Sequence, residues 1–155
     1  MKRAISIILL FAVLTAVFAA FADEVEYYVI CDPRSYVCVH LHPKKSGEET
    51  GRLEIGDRVY ADGRKRNGFL HCTGINNEWG EGWVWKGYLV EDRPTVCSTR
   101  ATVVSRGKVF CRSYVNGAKV GKLKSGAEVQ VLAYSDEWAV TKKGYIRTQY
   151  LEMWE

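Results

Sequence analysis

The chain has 155 residues, 22 basic against 18 acidic, for a formal net charge of +4 at pH 7, and 12% of its residues are aromatic. Two of those positive charges, Lys2 and Arg3, stand at the N-terminus, and without them 20 basic residues face 18 acidic ones. This near balance excludes nucleic acid as the partner: a phosphate-binding surface needs a concentrated basic face, and the one cluster, Arg64-Lys65-Arg66, reads as a solvated loop.

Residues 1–22 read as an export signal rather than part of a fold. Lys2 and Arg3 give the positive start, Ala4 to Ala19 is apolar except for Ser6 and Thr15, and Ala20-Phe21-Ala22 offers a small-x-small site before Asp23. Cleavage there makes the protein secreted, periplasmic or envelope-bound. The apolar run is shorter than the ~20 residues a spanning helix needs, so the membrane is a partner only if the signal stays uncleaved. No cysteine stands at the cleavage point, which leaves the lipoprotein route unsupported.

The remaining 133 residues read as strand almost throughout. Val37, Val39 and Leu41 alternate with Cys38, His40 and His42; later, Val109, Cys111 and Ser113 alternate with Phe110, Arg112 and Tyr114. Period two places one set on an inner face and the other outside. Turn signals recur every ten residues or so, at Asp32-Pro33, Ser46-Gly47, Asp62-Gly63, Asn67-Gly68, Asn116-Gly117, Ser135-Asp136 and Lys143-Gly144. Short strands at this spacing predict a small barrel or sandwich.

Two motifs occur twice. Gly51-Arg52-Leu53-Glu54-Ile55-Gly56-Asp57-Arg58-Val59 returns as Gly121-Lys122-Leu123-Lys124-Ser125-Gly126-Ala127-Glu128-Val129, and Gly82-Trp83-Val84-Trp85-Lys86-Gly87-Tyr88-Leu89 returns as Gly144-Tyr145-Ile146-Arg147-Thr148-Gln149-Tyr150-Leu151. The chain is therefore a tandem. The offset shrinks between the two echoes because the first copy holds about eight extra residues, placed in a hairpin around Thr73 to Glu81. Gly56 and Gly126 precede strands at matched tight turns where positive φ is expected. The charged, proline-closed stretch Glu91-Asp92-Arg93-Pro94-Thr95 separates a first domain, 25–92, from a second, 97–155. Units of roughly 60 residues are individually marginal, so disulfides or packing of one copy on the other are expected to help.

The order of these motifs resembles the bacterial SH3-type domain: an opening strand, a polar loop, Gly-x-Leu-x-x-Gly-x-x-Val, a tryptophan strand, then Gly-Trp-Val and a terminal Tyr-Leu. The second copy matches with Val109-Phe110-Cys111-Arg112-Ser113, Gly121 to Val131, Trp138-Ala139-Val140, Gly144-Tyr145-Ile146 and Tyr150-Leu151. The first is looser, with Val37-Cys38-Val39-His40 as opening strand and Phe69 where tryptophan is usual. The resemblance covers about Tyr28 to Met153. It implies an all-β chain of two small SH3-like β-barrels in tandem after the signal peptide, of a kind that serves as non-catalytic binders of cell-wall or peptide ligands.

Five cysteines, an odd number, leave at least one thiol free or paired between chains after export. Cys31 and Cys38 flank a hairpin tip and are the first candidates for a bridge, with Cys72 and Cys97 as a second pair; connectivity is open. Cys111 takes the inward position of Val39 and reads as a small buried hydrophobe. Zinc on Cys38, His40 and His42, completed by His71 and Cys72, is disfavoured because alternate residues along a strand are nearly 7 Å apart. No metal and no cofactor are expected. A thiol- or histidine-dependent enzyme or effector built on Cys72 with His71 or His40 is the alternative function, but His71 and Cys72 are expected on opposite faces, and the residues of this sequence are too few for a separate catalytic domain beside two such units.

Binding has better candidates. Trp79, Trp83, Trp85 and Tyr88 fall within ten residues. Trp83 and Tyr145 are expected inside. Trp85 is replaced by Arg147 in the second copy, and a position that takes both is expected to be exposed, a platform for peptide or sugar. The resemblance implies a groove that recruits Tyr36, Trp79 and Trp85. The competing role for these rings is to pack the two copies together. The expected partner is a cell-wall polymer, peptide or protein.

Overall fold

A computed structural model describes residues 24–75 and 78–154, with only the backbone for 78 and 79. Residues 1–22, expected from sequence to be an export signal, lie outside the described residues. The architecture is all-β, with fourteen strands in two seven-stranded antiparallel sheets. The first sheet holds β1 (Val25–Val29), β2 (Val37–His40), β3 (Glu49–Leu53), β4 (Arg58–Arg66), β5 (Phe69–Ile75), β6 (Glu78–Trp85) and β7 (Leu89–Val90). The second holds β8 (Thr95–Val103), β9 (Val109–Arg112), β10 (Lys119–Leu123), β11 (Glu128–Tyr134), β12 (Trp138–Thr141), β13 (Gly144–Arg147) and β14 (Leu151–Met153). The strand orders, β3-β2-β6-β5-β4-β1-β7 and β10-β9-β13-β12-β11-β8-β14, are the same order read twice. The sequence repeat is thus a repeat of topology. Among the described residues the two edges of each sheet form no ladder with each other, so the hydrogen bonding does not close a barrel.

Local chemistry is duplicated as well. Gly56 and Gly126 have φ of 84° and 82°, and each donates its N–H, at 2.8 Å, to the last carbonyl of β1 or β8 (Val29, Val103). Only glycine takes that conformation without a steric penalty, which accounts for the paired glycines. The extra residues sit in the β5–β6 hairpin, whose strands run seven and eight residues against four and four in the β12–β13 hairpin.

Each sheet pools one face into its own core. Val29, Val37, Val39, Leu53, Val59, Leu70 and Val84 form the first, and their counterparts Val103, Val109, Cys111, Leu123, Val129, Ala139 and Ile146 form the second. Cys111 takes the place of Val39 as a buried apolar group. A third cluster joins the halves: Ile30 and Val90 from the first meet Val115, Ala133, Trp138, Val140 and Tyr145 from the second. At this seam the Tyr145 hydroxyl donates to the Ile30 carbonyl at 3.1 Å, the Val115 N–H to the Gly87 carbonyl at 2.9 Å, and the Asp136 N–H to Asp92 Oδ2 at 2.6 Å. The apolar contacts between copies supply the burial that each small sheet lacks.

The expected side-chain parity fails at one place. In Gly-Trp-Val and Gly-Tyr-Ile it is Val84 and Ile146 that enter the cores, while Trp83 stays partly exposed and Tyr145 faces the seam. The glycine sets this parity. A Cβ on Gly82 would lie 2.4 Å from Val39 Cγ1, and one on Gly144 2.5 Å from the Arg112 carbonyl oxygen, so each glycine packs tightly against the neighbouring strand and its i+2 residue follows it inward.

The expected bridges are also absent. All five cysteines are free thiols. Cys31 is buried in the first core, whereas Cys38 lies on the opposite face of β2 between inward Val37 and Val39, so the sheet itself separates them. Cys72 belongs to the first core and Cys97 packs against the second. Burial pushes the Cys31 thiol up to about 11 and the Cys72 thiol to about 12, with nearby carboxylates adding to both shifts. These thiols ionise in the unfolded chain near pH 9 and in the folded one only above it. Their contribution to stability is therefore complete below about pH 9 and lost as pH rises through 11 to 12. Iodoacetamide at about pH 8 is expected to label Cys38 and Cys97 in the native protein and Cys31, Cys72 and Cys111 only after denaturation. Peptide mapping that finds all five labelled equally under native conditions contradicts this placement.

Candidate ligand-binding groove

Strands alternate, and the outer face of β2, β5 and β6 carries what the core does not: Cys38 and His40 from β2, Phe69 and His71 from β5, Trp83 and Trp85 from β6. Cross-strand pairing brings Phe69 opposite Trp85 and His71 opposite Trp83. Both pairs meet edge to face, with ring centroids 5.0 Å apart, the arrangement that aromatic quadrupoles favour. The His40 ring stands edge-on to Phe69 at 5.5 Å and is 7% exposed.

Above this face lies a groove of about 280 Å³. Tyr36 and Cys38 border it from the start of β2, Glu49 from β3, Lys45 from the 41–48 connection, and Tyr88 and Tyr114 from the seam. Tyr36 is 46% exposed and has the Arg52 guanidinium 4.2 Å over its ring. Trp85 is half-buried, and its far side abuts a larger cleft of about 490 Å³ between the halves, lined by Leu89, Val90, Tyr114, Val115 and Trp138. The structure therefore brings Tyr36 and Trp85 into one groove. The side chain of Trp79 lies outside the described residues; its backbone pairs with Gly74 in the long hairpin.

Trp85 holds both roles that sequence left as alternatives. It meets Tyr114 of the second half edge-on at 5.6 Å, which is packing between copies, and it walls the groove. Its counterpart Arg147 does the same local work on Trp138, the counterpart of Phe69, with its guanidinium 4.3 Å over the ring. A flat group facing an aromatic cross-strand neighbour satisfies the position in both copies. That is why tryptophan and arginine exchange there without full exposure. In the second copy the equivalent outer face, with Trp138, Val140 and Tyr145, is used to hold the first copy. In the first copy Phe69, His40 and His71 on this face are buried, and the groove lies beside them, between Tyr36 and Trp85.

The histidine and thiol chemistry does not converge. His71 Nδ1 lies 3.0 Å from Asp62 Oδ2 and 2.6 Å from Arg64 Nη2, on the outer face, while Cys72 is wholly buried on the inner one. Burial works against the Asp62 carboxylate, but hydrogen bonds from the Arg64 backbone and guanidinium and from His71 outweigh it and hold the group below the usual carboxylate range. Cys38 shares the groove with His40, yet its thiol is pushed up by burial and by a hydrogen bond to Glu49. His42 is exposed on the 41–48 connection. Among the described residues no three His, Cys, Asp or Glu side chains gather as a metal site. Sequence reasoning missed Lys45, Glu49 and Tyr114 as groove residues, since only the folded 41–48 connection and the seam bring them to Trp85.

No family model matches the chain, and no curated protein matches it. Among solved structures the chain is similar to NlpC1 from Trichomonas vaginalis at 15% identity and a TM-score of 0.32, with 86% of this chain and 47% of that one covered. NlpC2 from the same organism gives 14% and 0.33, covering 86% and 49%. An autolysin structure from Listeria monocytogenes gives 9% and 0.32, covering 84% and 63%. The chain thus spans about half the length of the first two. At such scores the likeness carries no argument about activity.

Proposed function

We propose that the protein is an exported, non-catalytic binding module that takes a cell-wall polymer or peptide in the groove of its first half. The observation that carries this reading is the meeting of Tyr36 and Trp85 in one aromatic groove, on the face that the second copy spends on docking. The motif order that resembles the bacterial SH3-type domain supports it, with 25–92 and 97–155 as two SH3-like units, each sheet curling around its own core as a barrel left open between its edge strands. Rigid strands position the groove and loops supply its rim, the usual division of labour in binding domains.

A thiol- or histidine-dependent enzyme or effector is the second reading, favoured by Cys38 and His40 lining the same groove. Against it, nucleophilic cysteines need a depressed pKa, and that of Cys38 is raised. Tyr36→Ala and Trp85→Ala are each expected to weaken binding to purified peptidoglycan about tenfold or more, and the near-isosteric Cys38→Ser at the groove's edge to cost far less than either. Sedimentation with insoluble wall, compared with a pull-down from envelope extract, separates polymer from protein ligands. Tyr36→Ala removes an exposed side chain and cannot unfold the core, so full wall and extract binding by that variant refutes the groove.

A further inference from the structure

Lys45 sits on the 41–48 connection, exposed, with its ammonium 4.2 Å over the Trp85 ring and 5.7 Å over Tyr114. No salt bridge to Lys45 occurs among the described residues. Glu49, exposed, lies in the same groove. Two π faces at one ammonium form the core of the arrangement by which proteins recognise cationic ligands, and here the chain's own lysine occupies it.

We infer that the groove selects a peptide carrying a free ammonium group, and that Lys45 is a built-in competitor which such a ligand displaces. This rests on the binding reading above and names the ligand chemistry of that same site. The competitor is dispensable for the fold. Lys45 lies on a surface connection outside every strand, and its attraction to Trp85 is screened by water, so exchanging one ammonium for another loses little. Glu49 then gives an incoming cation a carboxylate on the groove wall. A neutral or acidic peptide lacks the group that displaces Lys45 and finds the ring covered.

The probe is a blocked tripeptide, acetyl-Ala-Lys-Ala-amide, against the same peptide with its lysine Nε-acetylated, followed by the Trp85 indole NMR signal and by calorimetry on the whole protein. Lys45→Ala, and Lys45→Met, which keeps the alkyl stem without the charge, are expected to bind the free-amine peptide about five- to tenfold more tightly than the native chain. The acetylated peptide is expected to show little preference among the three proteins, and Glu49→Gln to weaken the free-amine complex. Equal affinity of the Lys45 variants for both peptides overturns the inference, as does absence of any free-amine binding in all three proteins. If peptidoglycan binding still depends on Tyr36 and Trp85 in that case, the groove stands and only its cation preference falls; if that dependence is missing too, the binding reading itself fails.

Discussion

Trp138→Ala is expected to destabilise the protein by about 3–5 kcal/mol, the range for truncating a large buried aromatic. Trp138 is 1% exposed and is the largest fully buried side chain among the described residues. It belongs to the cluster that joins the copies, so its loss opens a cavity at the seam and weakens both halves at once. The Arg147 guanidinium stacked on its ring loses its platform as well. Trp138→Phe reproduces what the first copy already has at Phe69, which is 2% exposed, and is expected to cost much less. Thermal and urea denaturation measure both. A loss below about 1 kcal/mol for the alanine variant contradicts the assignment of Trp138 as the keystone of the seam.

Gly144→Ala and Gly82→Ala are expected to be unequal although the glycines occupy matched motifs. At Gly144 the φ is 110° and a Cβ would lie 2.5 Å from the Arg112 carbonyl oxygen, a backbone atom that cannot move without disrupting β9. Strain and collision together are expected to cost about 2–4 kcal/mol. At Gly82 the nearest obstacle is a side-chain methyl, Val39 Cγ1 at 2.4 Å, backed by the His40 carbonyl oxygen at 3.2 Å. Overpacking of that kind costs about 1–3 kcal/mol. The order of the two midpoints in urea is the test, and a more damaging Gly82→Ala would mean that the first sheet is the stiffer one.

Period two and the duplicated glycine motifs made the strands, the repeat and the long hairpin legible in the sequence, because these features are local. Side-chain parity at Gly-Trp-Val was misread since large aromatics were assigned inward by size; the small residue between strands, Gly82 or Gly144, decides instead which neighbours enter the core. The bridges were misread for a related reason. Cys31 and Cys38 are near in sequence, but a sheet has two sides: Cys31 enters the core after β1, and β2 turns Cys38 to the outer face. Of the site, Trp85 was legible through its exchange with Arg147 in the second copy, and Tyr36 only through the groove that the family resemblance implies. Lys45, Glu49 and Tyr114 were not, since their meeting depends on where a connection and a neighbouring sheet come to rest. His40 and His71 looked like ligands or bases in sequence; each proves to be engaged with an aromatic ring, and His71 with Asp62 as well.

Two sheets with the same strand order create a hazard during refolding, because a strand of one copy fits its counterpart's slot in the other. Two features discriminate against such crossed products. The β5–β6 hairpin is too long to replace β12–β13 without overhang, and Phe69 in place of Trp138 would leave the joining cluster underfilled. The divergence that equips the first copy with a groove thereby also acts as a proofreading mark, telling each strand which of two nearly identical neighbours it belongs to.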